Sequence, residues 1–311
     1  IGLPGSGKST FAKNYQSLAS NVEILSSDEI REQITGTRAD QSKNDAVFHI
    51  LYQKIREFLT REEDDISLIV DATNLKRKYR KQYFNFGNRA KIKAFYLASS
   101  FEDCLYRNFD RQHKVPYEAM KRMYLGMNVP EWSEGWDDII VLGEKSGIQM
   151  PDVSLKLYSE KEIFNCPIFN DIYNVDQGTP AHQFTISNHS WKVYEYLFKN
   201  YQHLDEKKFR ILCFAGLFHD IGKGFCKEWN EMKQRYTMYQ HENVGAQKAM
   251  WLLFRSLATG ALLSVGSLIN NHILIWQNEK LALERVGKNL APLLLALNKA
   301  DLACKKEIEN V

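Results

Sequence analysis

Gly2-Leu3-Pro4-Gly5-Ser6-Gly7-Lys8-Ser9-Thr10 matches G-x-x-x-x-G-K-[ST] at every fixed position. Such a loop wraps phosphate oxygens in backbone N–H groups and hands the chain to a helix whose N-terminus adds its dipole. The lysine, Lys8, reaches the β- and γ-oxygens, and the hydroxyl of Ser9 holds Mg²⁺. Gly5, Ser6, Gly7 and Thr10 complete the expected pocket for ATP with Mg²⁺. A loop of this kind follows a strand, so residues preceding Ile1 are expected.

The pattern downstream agrees with an α/β fold built on a parallel sheet. Ile66–Val70, Lys93–Leu97 and Asp138–Leu142 read as buried strands, and Phe48–Leu59 and Glu102–Phe109 as helices between them. From about Trp191 the periodicity becomes helical throughout, as in Phe209–Phe218, Ala246–Leu257 and Ala291–Leu302. Two domains are expected, residues 1–150 and 165–311, with a break near 160. The chain has 311 residues, 44% apolar and 25% charged, which is ample for two cores. A net charge of +3 gives no bulk signature of a nucleic-acid binder, so that function has to come from local patches. Cysteines 104, 166, 213, 226 and 304 are odd in number and form no C-x-x-C pair, which points to a reducing, cytoplasmic setting. No apolar run reaches roughly 18 residues, so no membrane span is expected.

Three segments near the loop carry candidate chemistry. Asp28 and Arg31, in Ser27-Asp28-Glu29-Ile30-Arg31, stand where a second strand would end. A carboxylate there takes the proton of an attacking hydroxyl, and an arginine one turn on clamps a phosphate; the same segment also reads as a helix cap with a surface arginine. Asp71 and Asn74, in Val70-Asp71-Ala72-Thr73-Asn74, close the next strand. Arg107 and Arg111, spaced as on one helix face before Val115-Pro116, suit a lid over a transferred phosphoryl group, or a solvated basic face. The run Lys76-Arg77-Lys78-Tyr79-Arg80-Lys81, with Tyr83, Phe84 and Phe86, interleaves cations and aromatics as a single nucleic-acid strand requires. It reads equally as a solvated flank with core aromatics.

With Pro130-Glu131-Trp132-Ser133-Glu134-Gly135-Trp136-Asp137, these motifs in order resemble the kinase module of the 5′-polynucleotide kinase family over roughly residues 1–145. The resemblance implies that Lys8 and Ser9 bind ATP·Mg²⁺, that Asp28 is the general base and that Arg31 contacts the nucleic-acid phosphate. It further implies that Arg111 contacts the donor, with Asp71 and Asn74 in support.

Six of the eight histidines fall between 182 and 272. His219 and Asp220 follow an apolar helix, Ile211–Phe218, and would be costly inside a bundle without a metal. Residues 165–311 resemble the HD phosphohydrolase superfamily. The ordered pattern H…HD…D is filled by His189, His219-Asp220 and Asp301, and His241 and His272 complete its six-ligand, two-metal form. The implied ions are divalent: Mn²⁺, Ni²⁺, Co²⁺, Fe²⁺ or Zn²⁺. Lys223 and Lys305 would then bind phosphate oxygens, and His182 would sit at the rim.

The combined expectation is a bifunctional enzyme that phosphorylates 5′-OH ends of RNA or DNA, single-stranded or broken. Its HD half would remove 3′-phosphates or open 2′,3′-cyclic phosphates, leaving ends suited to an RNA ligase. The order of modules reverses that of many fused relatives. Two alternatives stay open: a small-molecule or nucleoside kinase joined to a nucleotide phosphohydrolase, and a nucleotide-gated regulatory or toxin-type module.

Overall fold

The computed structural model describes residues 1–61, 65–144, 146–178 and 183–305. Two compact units emerge: Ile1–Met123 with Trp136–Leu142, and Tyr124–Gly135 with Gly143–Val311. The expected break near residue 160 thus falls inside the second unit, which also takes a segment from within the kinase-like stretch. Pro130–Gly135 belongs to this unit, whereas Trp136 and Asp137 of the same motif belong to the first.

The first unit runs α1 (Lys8–Leu18), β1 (Val22–Ser26), α2 (Ser27–Thr35), α3 (Asn44–Phe58), β2 (Ser67–Asp71), α4 (Arg77–Arg80), β3 (Lys93–Ala98), α5 (Phe101–Phe109), α6 (Tyr117–Leu125) and β4 (Asp138–Gly143). β1 and β2 pair in parallel from Val22↔Ser67 to Ser26↔Asp71, so Ser27 and Asp71 emerge at the same sheet edge. β3 pairs with β4. Ile1 and Gly2 bond to both sheets: the amide of Leu97 donates to Ile1 O (2.9 Å) and that of Gly2 to Thr73 O (3.2 Å). Beside them lies a cavity of about 800 Å³ walled by residues of β2 and β3. Ile30, Val47, Leu51, Ile55 and Tyr83 form a buried cluster that seats α2 and α3 on the sheet. Ser26 and Ser100 cap α2 and α5 by accepting the amides of Glu29 and Asp103, a role that short hydroxyl side chains fill.

The second unit contains α7 (Glu160–Phe164), α8 (Ile186–Asn200), α9 (Glu206–Phe218), α10 (Lys223–Cys226), β5 (Glu228–Asn230), β6 (Arg235–Thr237), α11 (His241–Leu252), α12 (Thr259–Asn271), α13 (Leu274–Gln277), α14 (Glu279–Val286) and α15 (Ala291–Ala303). α9 is buried along Ile211–Phe218 and forms the axis against which α8, α12 and α15 pack. Residues 124–135 are tied to this bundle by its buried amides. Gln247 Nε2 donates to Tyr124 O (2.8 Å) and Met127 O (3.1 Å), and Asn243 Nδ2 to Leu125 O (2.8 Å). The buried carboxylate of Glu131 accepts from Ser267 Oγ (3.1 Å) and from Asn271 Nδ2.

Three local expectations are corrected. The all-helical reading after Trp191 missed the antiparallel hairpin β5–β6, whose strands are only three residues long; its turn is closed by Asn230 Oδ1, which accepts the amide of Lys233 (2.9 Å). The helix expected over Ala246–Leu257 ends at Leu252, because the chain turns at Arg255 (φ 68°) and brings Leu257 back into the core. Arg107 and Arg111 do not share a helix, since α5 stops at Phe109. Beyond it, Asn108 exchanges two hydrogen bonds with the backbone of Val115 (2.8 and 3.0 Å), pinching residues 109–114 into a loop. Among the described residues no helix is long and apolar enough to cross a membrane.

Candidate functional site

In the first unit the loop closes by two left-handed glycines, Gly5 (φ 82°) and Gly7 (φ 92°), the latter capping α1. At Gly5 a Cβ would lie 2.3 Å from the carbonyl oxygen of Cys104, so both backbone angle and space demand glycine. Lys8 Nζ donates to Leu3 O (2.8 Å), folding the ammonium back into the loop. Burial lowers the Lys8 pKa to about 8; Asp71 opposes this and the nearby Arg111 adds to it. Ser9 Oγ donates to Asp71 Oδ2 (2.6 Å), which places hydroxyl and carboxylate together where a divalent ion would be held. Thr10 is exposed on the first turn of α1.

Asp28 stands in the first turn of α2, with its side chain half exposed, and pairs with the buried Arg31 at 2.6 Å. Asn44, at the start of α3, accepts from Arg31 Nη2 (3.0 Å); sequence reasoning missed it, because nothing in an exposed helix start signals a partner for a buried guanidinium. Asn74 has φ 50°, and its Oδ1 accepts the Tyr83 hydroxyl (2.9 Å), so it is built into the turn after β2. The mixed basic and aromatic run divides. Arg80 is fully buried and donates to Asn74 O and Leu75 O, and Tyr83 is core, whereas Lys76, Lys78, Tyr79 and Lys81 are exposed.

In the second unit all six expected metal ligands converge from five helix ends. His189, His219 and Asp301 form one group and Asp220, His241 and His272 a second, every member buried. Asp220 links them. Its Oδ2 lies 3.3 Å from His219 Nε2 and 3.6 Å from His189 Nε2, while Oδ1 lies 3.3 Å from His241 Nε2 and 3.7 Å from His272 Nε2. Glycine makes this possible: a Cβ on Gly222 would meet His241 O at 2.1 Å, so only glycine lets α10 approach the start of α11.

The histidine tautomers follow from their partners. Each Nδ1 faces a backbone carbonyl: His189 to Cys304 O (3.1 Å), His219 to Gly216 O (2.8 Å), His241 to Met238 O (2.7 Å) and His272 to Ile269 O (2.7 Å). A carbonyl only accepts, so Nδ1 carries the proton and Nε2 presents a lone pair. Yet His219 Nε2 and His189 Nε2 face each other at 3.3 Å, as do those of His241 and His272. Opposed lone pairs in a buried site repel unless a cation lies between them, so this donor set fits divalent metal ions.

The buried Lys223 places Nζ 2.6 Å from Asp220 Oδ2 and donates to Gln177 Oε1 (2.8 Å). Gln177 was not foreseen; it lies in an irregular stretch and reveals itself only by burial. Lys305 Nζ is 3.6 Å from Asp301 Oδ2. His182 lies outside the described residues.

Residues 1–130 match the family model described as an AAA domain, and residues 186–307 match that of the HD domain. A curated relative, L-seryl-tRNA(Sec) kinase of Methanococcus maripaludis, is 29% identical over 183 residues, covering 57% of this chain. The chain spans 64% of that relative's length, and the relative is a different kinase from those that the N-terminal motifs resemble. The molecule therefore joins an N-terminal P-loop α/β domain of kinase type to a C-terminal helical domain that matches the HD model.

Proposed function

We propose that this chain is a bifunctional nucleic-acid end-healing enzyme, with an ATP-dependent 5′-hydroxyl kinase in its first unit and a 3′-phosphatase or 2′,3′-cyclic phosphodiesterase in its second. The observation that carries this reading is the presence on one chain of a complete phosphate-donor loop, with Ser9 against Asp71, and of a buried His/Asp cluster sharing Asp220. In the kinase, Lys8 neutralises the donor oxygens, Asp28 accepts the proton of the attacking hydroxyl, Arg31 clamps the acceptor phosphate and Arg111 covers the transferred group. Asp71 and Asn74 fix the end of β2 beneath them. In the HD unit the two ligand groups would hold two divalent ions, which when bound withdraw charge from phosphate oxygens and acidify water. Lys223 and Lys305 bind the remaining oxygens. The native ion is proposed to be one of Mn²⁺, Ni²⁺, Co²⁺, Fe²⁺ or Zn²⁺, and an RNA ligase is the proposed downstream partner in a cytoplasmic setting.

The relative favours a second reading, in which the hydroxyl acceptor is carried on a charged tRNA. The test supplies γ-labelled ATP to the full chain with a 5′-OH, 3′-phosphate oligoribonucleotide, and in parallel with seryl-tRNA. Label on the oligonucleotide with loss of its 3′-phosphate supports the first reading, and label on seryl-tRNA alone supports the second. A third arm supplies free nucleosides, and label on these alone would make the enzyme a nucleoside kinase.

A further inference from the structure

Large aromatic rings stand exposed on the segments that adjoin the His/Asp cluster residues in the chain. Trp276, 44% exposed, lies in α13 four residues after His272. Lys305 Nζ sits 4.3 Å from its ring centroid and 3.6 Å from Asp301 Oδ2. The indole is thus held beside two cluster residues, one by sequence and one through a shared cation. The hairpin β5–β6 springs from the same place: Lys223 opens the helix before it and His241 the helix after it. Trp229, Tyr236 and Tyr239 on this excursion are 47%, 39% and 58% exposed. The rings of Trp229 and Tyr236 meet edge-on at 5.3 Å, and Lys227 and Lys233 lie over Tyr236 and Tyr239 at 4.5 and 5.2 Å.

Exposed rings on so short a hairpin bury little apolar surface for the fold. Rings paired with cations match a chain of alternating bases and phosphates, stacking the former and neutralising the latter. Lys227, Lys233 and Arg235 outnumber Glu228 and Glu231 on the excursion, which favours a polyanion over an acidic or neutral peptide.

We propose that the cluster receives the terminal nucleotide of a single-stranded nucleic acid, its base stacked on Trp276 and the preceding bases on Trp229, Tyr236 and Tyr239. The inference rests on the reading of the HD unit as a phosphohydrolase and specifies how that unit recognises its substrate.

The test is binding by the Mn²⁺-loaded full chain, followed by anisotropy of a 5′-fluorescein hexaribonucleotide bearing a 3′-phosphate, with a nucleoside 3′-monophosphate and inorganic phosphate as competitors. Trp276→Ala should weaken the oligonucleotide and the nucleotide about tenfold, the loss of one stacked base, with inorganic phosphate competing as before. Trp276→Phe should restore most of the affinity. The pair Trp229→Ala and Tyr239→Ala should weaken the oligonucleotide only. Metal content is measured on the same samples; a Trp276→Ala protein that loses metal, or loses phosphate affinity in proportion, shows that the indole merely props His272 and overturns the inference. Unchanged affinity in both variants, or no nucleotide binding by the wild type, overturns it equally. Trp276-dependent binding of nucleotides with no gain for the oligonucleotide would retain the base platform while refuting the end-healing reading and the hairpin track.

Discussion

Replacing Asp220 by alanine removes the one carboxylate that touches both ligand groups, with Oδ2 within 3.6 Å of two imidazoles and Oδ1 within 3.7 Å of the other two. The two ions proposed for these groups would each lose a ligand, and among the described cluster residues four imidazoles and Asp301 would remain to hold them. His241→Ala removes a ligand from one group only. The two variants should therefore differ in stoichiometry. The wild type should bind two Mn²⁺ per chain, His241→Ala one, and Asp220→Ala neither. Stability gives a second reading. At a hundredfold excess over Kd each ion stabilises the folded unit by about 2.7 kcal/mol, so two contribute about 5 kcal/mol. For a unit of this size that corresponds to a rise in Tm of about 10–20 °C. Calorimetry with and without Mn²⁺, beside elemental analysis, should show the full rise in wild type, about half in His241→Ala and none in Asp220→Ala. An Asp220→Ala protein that retains two ions and the full rise would falsify the shared-carboxylate arrangement.

Lys8→Ala should abolish labelling of 5′-OH ends while 3′-phosphate release continues at the wild-type rate; equal loss of both in a folded protein would contradict separate centres. Asp28→Asn should keep ATP binding, by equilibrium dialysis, and lose transfer about 10²–10⁴-fold, as expected for a missing general base; near-normal transfer would remove Asp28 from that role. ATP affinity should fall as pH rises above 8, because burial has lowered the Lys8 pKa to about 8 and a bound triphosphate restores the proton. Above that pH a proton must be taken up on binding, so titration calorimetry should show up to about tenfold weaker binding per pH unit, and a flat profile would refute the coupling. Lys223→Ala should keep the metal complement and slow phosphate release, and loss of metal would reassign the lysine to holding Asp220.

The phosphate loop and three of the strands were legible in the sequence because local rules set them, fixed glycine spacing and short apolar runs, whereas the six cluster residues were expected from the resemblance to the HD phosphohydrolase superfamily. Asp71 could be seen at a strand end, and the parallel register that carries it beside the loop gives its meeting with Ser9. What escaped depends on partners distant in sequence. Arg80 looked like part of a nucleic-acid patch because charge on a helix flank reads as solvated, yet its guanidinium is spent on two carbonyls of the preceding turn. Gln177 and Asn44 carry no motif; their roles exist only because a buried lysine and a buried arginine need acceptors. The hairpin was missed because three-residue strands are too short for a period of two to register.

The segment 124–135 bears on how such a protein can be taken apart. The HD match begins at residue 186, but amides on α11 and α12 are satisfied by carbonyls and a carboxylate lying more than a hundred positions upstream. The chain passes from the first unit to the second, returns for β4, and crosses again. A fragment cut to the family boundaries would strip Asn243, Gln247 and Asn271 of these partners and open their trough to water, at about 0.5–1.5 kcal/mol for each hydrogen bond exchanged for one to solvent. The HD part is thus no detachable cassette. A graft of it onto another kinase would have to carry residues 124–135 with it, and a lineage that acquired it could not shed its neighbour by a single cut.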